Sequence, residues 1–122
     1  MEIRSLTRAE EEVMLILWQM DKGFVKDVLA DMPEPKPAYN TVSTIIRILE
    51  KKGFVGYTAY GKTHEYYPLI SQAEYKRYEM KQLMENYFDN SLPQLVSFFV
   101  KDQSLNTKDL DEIIKIMNKE KE

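Results

Sequence analysis

The chain has no cysteine and one histidine in 122 residues. Disulfides, thiolate metal ligands, thiol nucleophiles and multi-histidine metal sites are therefore excluded, and no metal or other cofactor is expected. Glycine and proline are scarce, at four and five, too few for a disordered low-complexity chain. No apolar run approaches the roughly 20 residues needed to cross a bilayer. The opening MEIRSLTRAEEEV lacks the basic-then-apolar order of a secretory leader. No membrane insertion and a cytoplasmic address are expected. Also missing are a Gly-rich phosphate cradle and a nucleophile with an evident base, so an enzyme is not expected. The acidic runs Glu10-Glu11-Glu12 and Asp109-Asp111-Glu112 sit at helix starts, where negative charge offsets the helix dipole without any catalytic purpose.

An excess of cations is lacking too: the formal charge is -3, which taken alone argues against a phosphate-rich partner. Its distribution argues otherwise. Between Lys36 and His64 stand five cations, Lys36, Arg47, Lys51, Lys52 and Lys62, against a single acid, Glu50. A basic stretch inside an acidic chain is the electrostatic footprint of a nucleic-acid surface.

The element order supports that reading. Thr7-Arg8-Ala9-Glu10 has the form of a capping box, and the helix it opens carries Val13, Leu15, Ile16, Leu17 and Met20 inward until Asp21-Lys22-Gly23 breaks the pattern. A second short helix spans Phe24 to Met32, and Pro33, Pro35 and Pro37 prevent its continuation. A third runs from about Asn40 to Lys52, with Val42, Ile45, Ile46 and Leu49 inward and Gly53 as a left-handed stop. Two β-branched and aromatic stretches, 54–59 and 63–67, flank Tyr60-Gly61-Lys62 as a hairpin. Helix, turn, helix, hairpin is the order of a winged helix-turn-helix. The fold class expected is mainly α with a small β-hairpin: a winged domain over 1–70, then a helical dimerisation region over 71–122.

The third helix has the length to lie in a major groove. Small polar groups near its start, Asn40, Thr41, Ser43 and Thr44, suit the reading of base edges, although Asn40 and Thr41 equally suit local capping. Arg47, Lys51 and Lys52 suit phosphate contact or, alternatively, compensation of the helix dipole. Lys62 at the wing tip suits a neighbouring phosphate. Tyr57 and Tyr60 read as sheet packing, and His64 as a surface residue.

Past Pro68, Ser71-Gln72-Ala73-Glu74 is a second capping box, opening a helix with Tyr75, Tyr78, Leu83, Met84, Tyr87 and Phe88 on one stripe. Ser91 and Thr107 start two more, carrying Leu95, Val96, Phe98, Phe99 and Val100, and then Leu110, Ile113, Ile114 and Met117. Some 50 residues in separate short helices are too few for a secure core of their own, so a second copy is the expected cover. The dimerisation residues expected are Tyr75, Tyr78, Leu83, Tyr87, Leu95, Phe98, Phe99, Leu110, Ile113, Ile114 and Met117. The alternative is packing back on the same winged domain.

Leu6-Thr7-Arg8-Ala9-Glu10-Glu11-Glu12-Val13-Met14-Leu15-Ile16-Leu17-Trp18 resembles the opening of the BlaI/MecI/CopY family, the penicillinase and methicillin-resistance repressors. Thr41 to Ile46 followed by Leu49-Glu50-Lys51-Lys52-Gly53, Tyr66-Tyr67-Pro68-Leu69, and Ser91-Leu92 through Leu105 are similar to the same family, so the resemblance covers about residues 4 to 118. It implies a sequence-specific repressor acting as a homodimer on a pseudo-palindromic operator, with double-stranded DNA as partner and Thr41 and Thr44 facing it. Two departures stand out. The family's arginine before the leucine matching Leu49 is Ile48 here, with Arg47 one step earlier, a rotation of about 100°. The Asn-Phe bond cut in antibiotic-responsive members matches Phe98-Phe99, without the Asn. The resemblance thus implies Phe98-Phe99 as a position of regulatory cleavage, and a membrane sensor protease or other inducing partner. The cysteine-rich tail of copper-sensing members is missing.

Two other functions fit the same residues. A winged-helix protein-interaction module would bind DNA weakly and without sequence preference. A small-molecule-gated regulator would enclose a ligand among the C-terminal aromatics.

Overall fold

The computed structural model describes residues 2–121. In chain order the elements are α1 (Arg8–Met20), β1 (Gly23–Phe24), α2 (Val25–Asp31), α3 (Tyr39–Lys51), β2 (Val55–Tyr60), β3 (Thr63–Pro68), α4 (Gln72–Tyr87), α5 (Leu92–Lys101) and α6 (Thr107–Lys121). They fall into two compact units, one ending at Glu79 and the other beginning at Met80.

Helix α1 starts where its capping box dictates. Thr7 Oγ1 accepts from the amide of Glu10 at 3.2 Å, and the amide of Thr7 donates to Glu10 Oε1 at 2.9 Å. Its buried stripe is Glu10, Val13, Met14 and Leu17, a spacing of three and four. Leu15, expected inside, lies off that stripe and is 45% exposed; Met14 fills the place. Gly23 stands where α1 gives way to β1, and a Cβ there would have to displace the Met20 side chain, whose Sδ would lie 2.5 Å away.

Helix α2 buries Val25 and Val28. Its orphan carbonyls are satisfied from outside the helix: Lys36 Nζ, carried back by the proline-rich turn, donates to the carbonyls of Leu29, Ala30 and Met32 at 3.2, 2.7 and 2.9 Å. Helix α3 follows, burying Val42, Ile46 and Leu49. Gly53 at φ 83° then reverses the chain, with the Phe54 amide donating to the Leu49 carbonyl at 2.9 Å.

The expected hairpin is the core of a three-stranded antiparallel sheet in the order β1-β3-β2. Tyr57 pairs with Tyr66 and Ala59 with His64, and Gly61 at φ 65° makes the turn. The extra strand, β1, sets Gly23 opposite Tyr66 and Phe24 opposite Glu65. It is two residues long, and Phe24, expected in the second helix, precedes it instead. Strand pairing that short has no periodicity to read.

The core of the first unit joins Val13, Met14, Leu17, Val28, Val42, Ile46, Leu49 and Phe54, all with no exposed surface. Tyr75 belongs to it. Its ring packs 5.6 Å from Phe54 and 5.9 Å from Trp18, and its Oη accepts from the Leu6 amide at 2.9 Å. Burial pushes its phenol up to about 12. Tyr78 stacks on Tyr75 and shares a 3.1 Å hydrogen bond with Ser5 Oγ. Both were expected at a dimer interface. Tyr75 is instead buried within the winged unit, and Tyr78 is half-buried beside it.

Glu10 is the one buried charged residue among the described residues. Its Oε1 accepts from Lys52 Nζ at 2.7 Å as well as from the Thr7 amide, tying the start of α1 to the end of α3. Burial alone would raise its pKa. The hydrogen bond from Lys52, with the Thr7 bonds and the Lys52 charge, outweighs that and holds the carboxyl below its ordinary 4.5. Glu10→Ala removes the cap and strands the ammonium, so a loss of about 2–3 kcal/mol in urea unfolding at neutral pH is expected. Because the native pKa is the lower one, this contribution is present above about pH 4.5 and lost as pH falls through the native value. Glu10→Gln is therefore expected to lose more stability at neutral pH than at about pH 3; equal losses at both would refute the ionic role.

Candidate nucleic-acid interface

The outer face of α3 follows from its buried one. Counting about 100° per residue from Ser43, Arg47, Asn40, Lys51 and Thr44 fall within about 40–100°, and Ile48 and Thr41 at about 140–160°. All six are exposed, and Ser43 is half-buried at one edge of the arc. Thr44 Oγ1 donates to the Asn40 carbonyl at 2.9 Å, which commits its proton and leaves the exposed hydroxyl able to act only as an acceptor. Arg47 stands between Ser43 and Lys51, on the side of α3 that faces the wing.

A cleft of about 600 Å³ lies there. Ser43, Arg47, Glu50 and Lys51 of α3 line one wall; Lys62, Thr63 and His64 of the wing line the other, and Lys26 of α2 also borders it. His64, expected as a surface residue, is half-buried and stacks on Tyr57 with ring centroids 4.1 Å apart and planes 8° from parallel. Tyr60 packs against Phe24 at 5.9 Å. Burial raises the pKa of Tyr66 at the cleft floor, Glu50 adds to the rise, and Arg47 opposes it.

The cations of the basic stretch divide into two groups. Lys36 caps α2 and Lys52 is held by Glu10. Lys52, expected as a phosphate contact, thus has its ammonium engaged inside the fold. Arg47, Lys51 and Lys62 make no ion pair among the described residues, and neither does Lys26. Lys26 escaped sequence reading because it lies ten residues before the basic stretch, and only the packing of α2 beside the wing brings it to the cleft.

In the second unit, Ser91 Oγ caps α5 by accepting from the Gln94 amide, and α6 begins at Thr107 as expected, with Asn106 capping it by accepting from the Asp109 amide. Leu83, Tyr87, Phe98, Phe99, Ile113, Ile114 and Met117 are exposed, while Leu95 and Leu110 are half-buried. Ile116, which sequence reading left out, is 62% exposed. Phe98 and Phe99 sit in the interior of α5, their rings edge to face at 5.9 Å.

If the division of the cations is right, Lys36→Ala lowers stability by about 1 kcal/mol and Lys52→Ala by about 2, and neither changes the salt dependence of DNA binding. Lys51→Ala leaves stability unchanged and flattens the salt dependence. Urea melts and titrations at several salt concentrations distinguish these outcomes, and a flattened slope for Lys52→Ala would overturn the division.

Known proteins agree with the architecture. The sequence profile of the penicillinase repressor family matches residues 6–119. The methicillin resistance regulatory protein MecI of Staphylococcus aureus (strain N315) is 27% identical over 115 residues, covering 93% of this chain and 94% of MecI. The penicillinase repressor of Bacillus licheniformis is 22% identical over 121 residues, covering 98% and 94%. Among solved structures, the DNA-binding domain of the repressor BlaI superposes with a TM-score of 0.53 at 25% identity, covering 61% of this chain and 92% of that domain. With a family match over nearly the whole chain and a winged unit shared with BlaI, this protein belongs to the penicillinase repressor family of winged-helix DNA-binding transcriptional repressors.

Proposed function

We propose that the protein represses transcription in the cytoplasm as a homodimer bound to a pseudo-palindromic operator. The observation that carries this is the exposed arc of α3, small and polar at its start and cationic beyond, which no other part of the first unit covers. On this reading Asn40, Thr41, Ser43 and Thr44 read base edges, while Arg47, Lys51 and Lys62 anchor on phosphates. The second unit supports the dimer. None of the residues of α5 is buried, and Tyr87 and Leu92 are 75% and 59% exposed. An apolar surface of that extent on three short helices calls for a partner, and a second copy supplies a self-complementary one under two-fold symmetry. An inducing partner of the sensor-protease type would have to unwind α5 to cut between Phe98 and Phe99, since proteolysis takes accessible, non-helical chain.

Both recognition helices of a dimer must face one side of the duplex. Selection from a random DNA pool is therefore expected to return half-sites repeating at about 10 base pairs or a multiple. Thr44→Ala is expected to change the selected sequence, whereas Lys51→Ala weakens all sequences alike. A selected site with no two-fold symmetry would contradict the dimer.

Ile114→Asp is expected to yield a folded monomer by sedimentation. Losing the second half-site should reduce operator affinity by about 100-fold or more. A dimer that persists in Ile114→Asp and in Phe98→Asp would remove α5 and α6 from the interface.

A further inference from the structure

Lys52 Nζ meets Glu10 Oε1 at 2.7 Å, with the lysine side chain 21% and the glutamate side chain 7% exposed. Lys51, its neighbour in sequence, is turned about 100° away around α3 and borders the cleft. Stability does not account for an ion pair so far out of water, because desolvation offsets much of its attraction. Its geometry suggests another role. The oxygen that holds Lys52 also accepts the Thr7 amide, so it cannot follow a moving lysine without opening the cap of α1.

The two ends of α3 are held unequally. Its last turn is fixed by this pair and by the Phe54 amide, which donates to the Leu49 carbonyl at 2.9 Å from a residue with no exposed surface. At its start Ala38 offers no side-chain cap, unlike Thr7 at α1 and Ser71 at α4, and of residues 39–44 only Val42 is buried. The candidate base-reading residues thus stand at the less restrained end of a lever. Asn40 lies twelve residues from Lys52, about 18 Å along the axis, so a tilt of about 5° about the last turn displaces it by about 1.5 Å. Hydrogen bonds to base edges do not survive that displacement, since they require donor and acceptor within about 0.5 Å of a set separation. Contacts from long, flexible lysines to phosphates do survive it.

We infer that the Glu10–Lys52 pair is a positioning device for sequence discrimination: without touching DNA, it holds α3 at the angle at which Asn40, Thr41, Ser43 and Thr44 meet base edges. The inference rests on α3 being the reading helix and deepens that proposal by assigning selectivity to two residues outside the reading arc. It also separates two adjacent lysines by role, with Lys52 governing preference among sequences and Lys51 governing affinity for all of them.

The test uses the full-length protein, a duplex recovered by selection and a scrambled duplex of equal length, titrated from about 50 to 200 mM salt. Lys52→Met keeps the reach of the side chain without its donor. Its affinity for the selected duplex is expected to fall about tenfold, with affinity for the scrambled duplex and the salt slope as in wild type. Lys52→Arg, which can still donate to Glu10, should keep the preference. Glu10→Gln retains an acceptor oxygen without the charge and should show the same loss in smaller measure, which also serves if Lys52→Met does not fold. Tyr75→Phe is the control for stability: it removes a hydrogen bond to the Leu6 amide made outside α3, and should lower the urea midpoint with the preference intact. Wild-type preference in Lys52→Met and Glu10→Gln overturns the positioning role and leaves α3 as the reader. A flattened slope with equal losses on both duplexes makes Lys52 a phosphate contact and overturns it as well. So does a loss of preference in Tyr75→Phe as large as in Lys52→Met, which would assign the effect to stability. A wild-type protein that does not prefer the selected duplex overturns sequence-selective reading itself, and the positioning role with it.

Discussion

One carboxylate oxygen, Glu10 Oε1, decides where the reading helix stands. It accepts the Thr7 amide, which fixes the first turn of α1, and it accepts Lys52 Nζ, which fixes the last turn of α3. Between these ends the two helices share a core of Val13, Met14, Leu17, Ile46 and Leu49. Apolar packing alone resists separation of two helices but is tolerant of sliding; a directional, charge-assisted bond at 2.7 Å resists sliding as well. A buried ion pair is weak evidence for net stability, because desolvation offsets much of its attraction. Its contribution here is better understood as register: α3 is held at one rotation and one height relative to the scaffold.

That register sets the electrostatics of the surface. The chain is acidic overall, so a nucleic-acid surface requires cations that are concentrated and not neutralised. Lys36 and Lys52 are used to terminate α2 and to hold α3, and in doing so they turn the unpaired Arg47 and Lys51 toward the wing. The acids are used in the same local way: Glu10 and Glu74 each accept the backbone amide that their capping box leaves unsatisfied. Charges that build the fold and charges left for a partner are thus different residues, even when they are neighbours in sequence, as Lys51 and Lys52 are.

Local rules account for what was legible beforehand. The capping boxes at Thr7 and Ser71, the left-handed glycines at 53 and 61 and the proline break between α2 and α3 each depend on residues a few positions apart, and each element starts or stops where those residues require. What escaped depends on long-range partners. The pairing of β1 with β3 joins residues some forty positions apart; Tyr75 finds Leu6, Trp18 and Phe54; Lys52 finds Glu10; Lys26 finds the wing. The stripe of Tyr75, Tyr78 and Leu83 read as one amphipathic face, yet Tyr75 is buried and Leu83 exposed. Periodicity identifies a face to be covered and is silent on what covers it.

The same limit applies to the second unit, and there energy decides. Each phosphate contact is worth little at physiological salt, and on the proposed reading a single copy held by its phosphate contacts alone would bind in the non-specific range, with Kd of about 10⁻⁴–10⁻⁶ M. On the proposed reading, base-edge contacts from Asn40, Thr41, Ser43 and Thr44 would add discrimination of about 1–3 kcal/mol per good pair, too little in one copy to select one site from a genome of alternatives. Joining two copies makes the second engagement intramolecular and multiplies both affinity and discrimination without any new kind of contact. On the proposed dimer, the exposed apolar side chains of α5 and α6 are what doubles the reading surface.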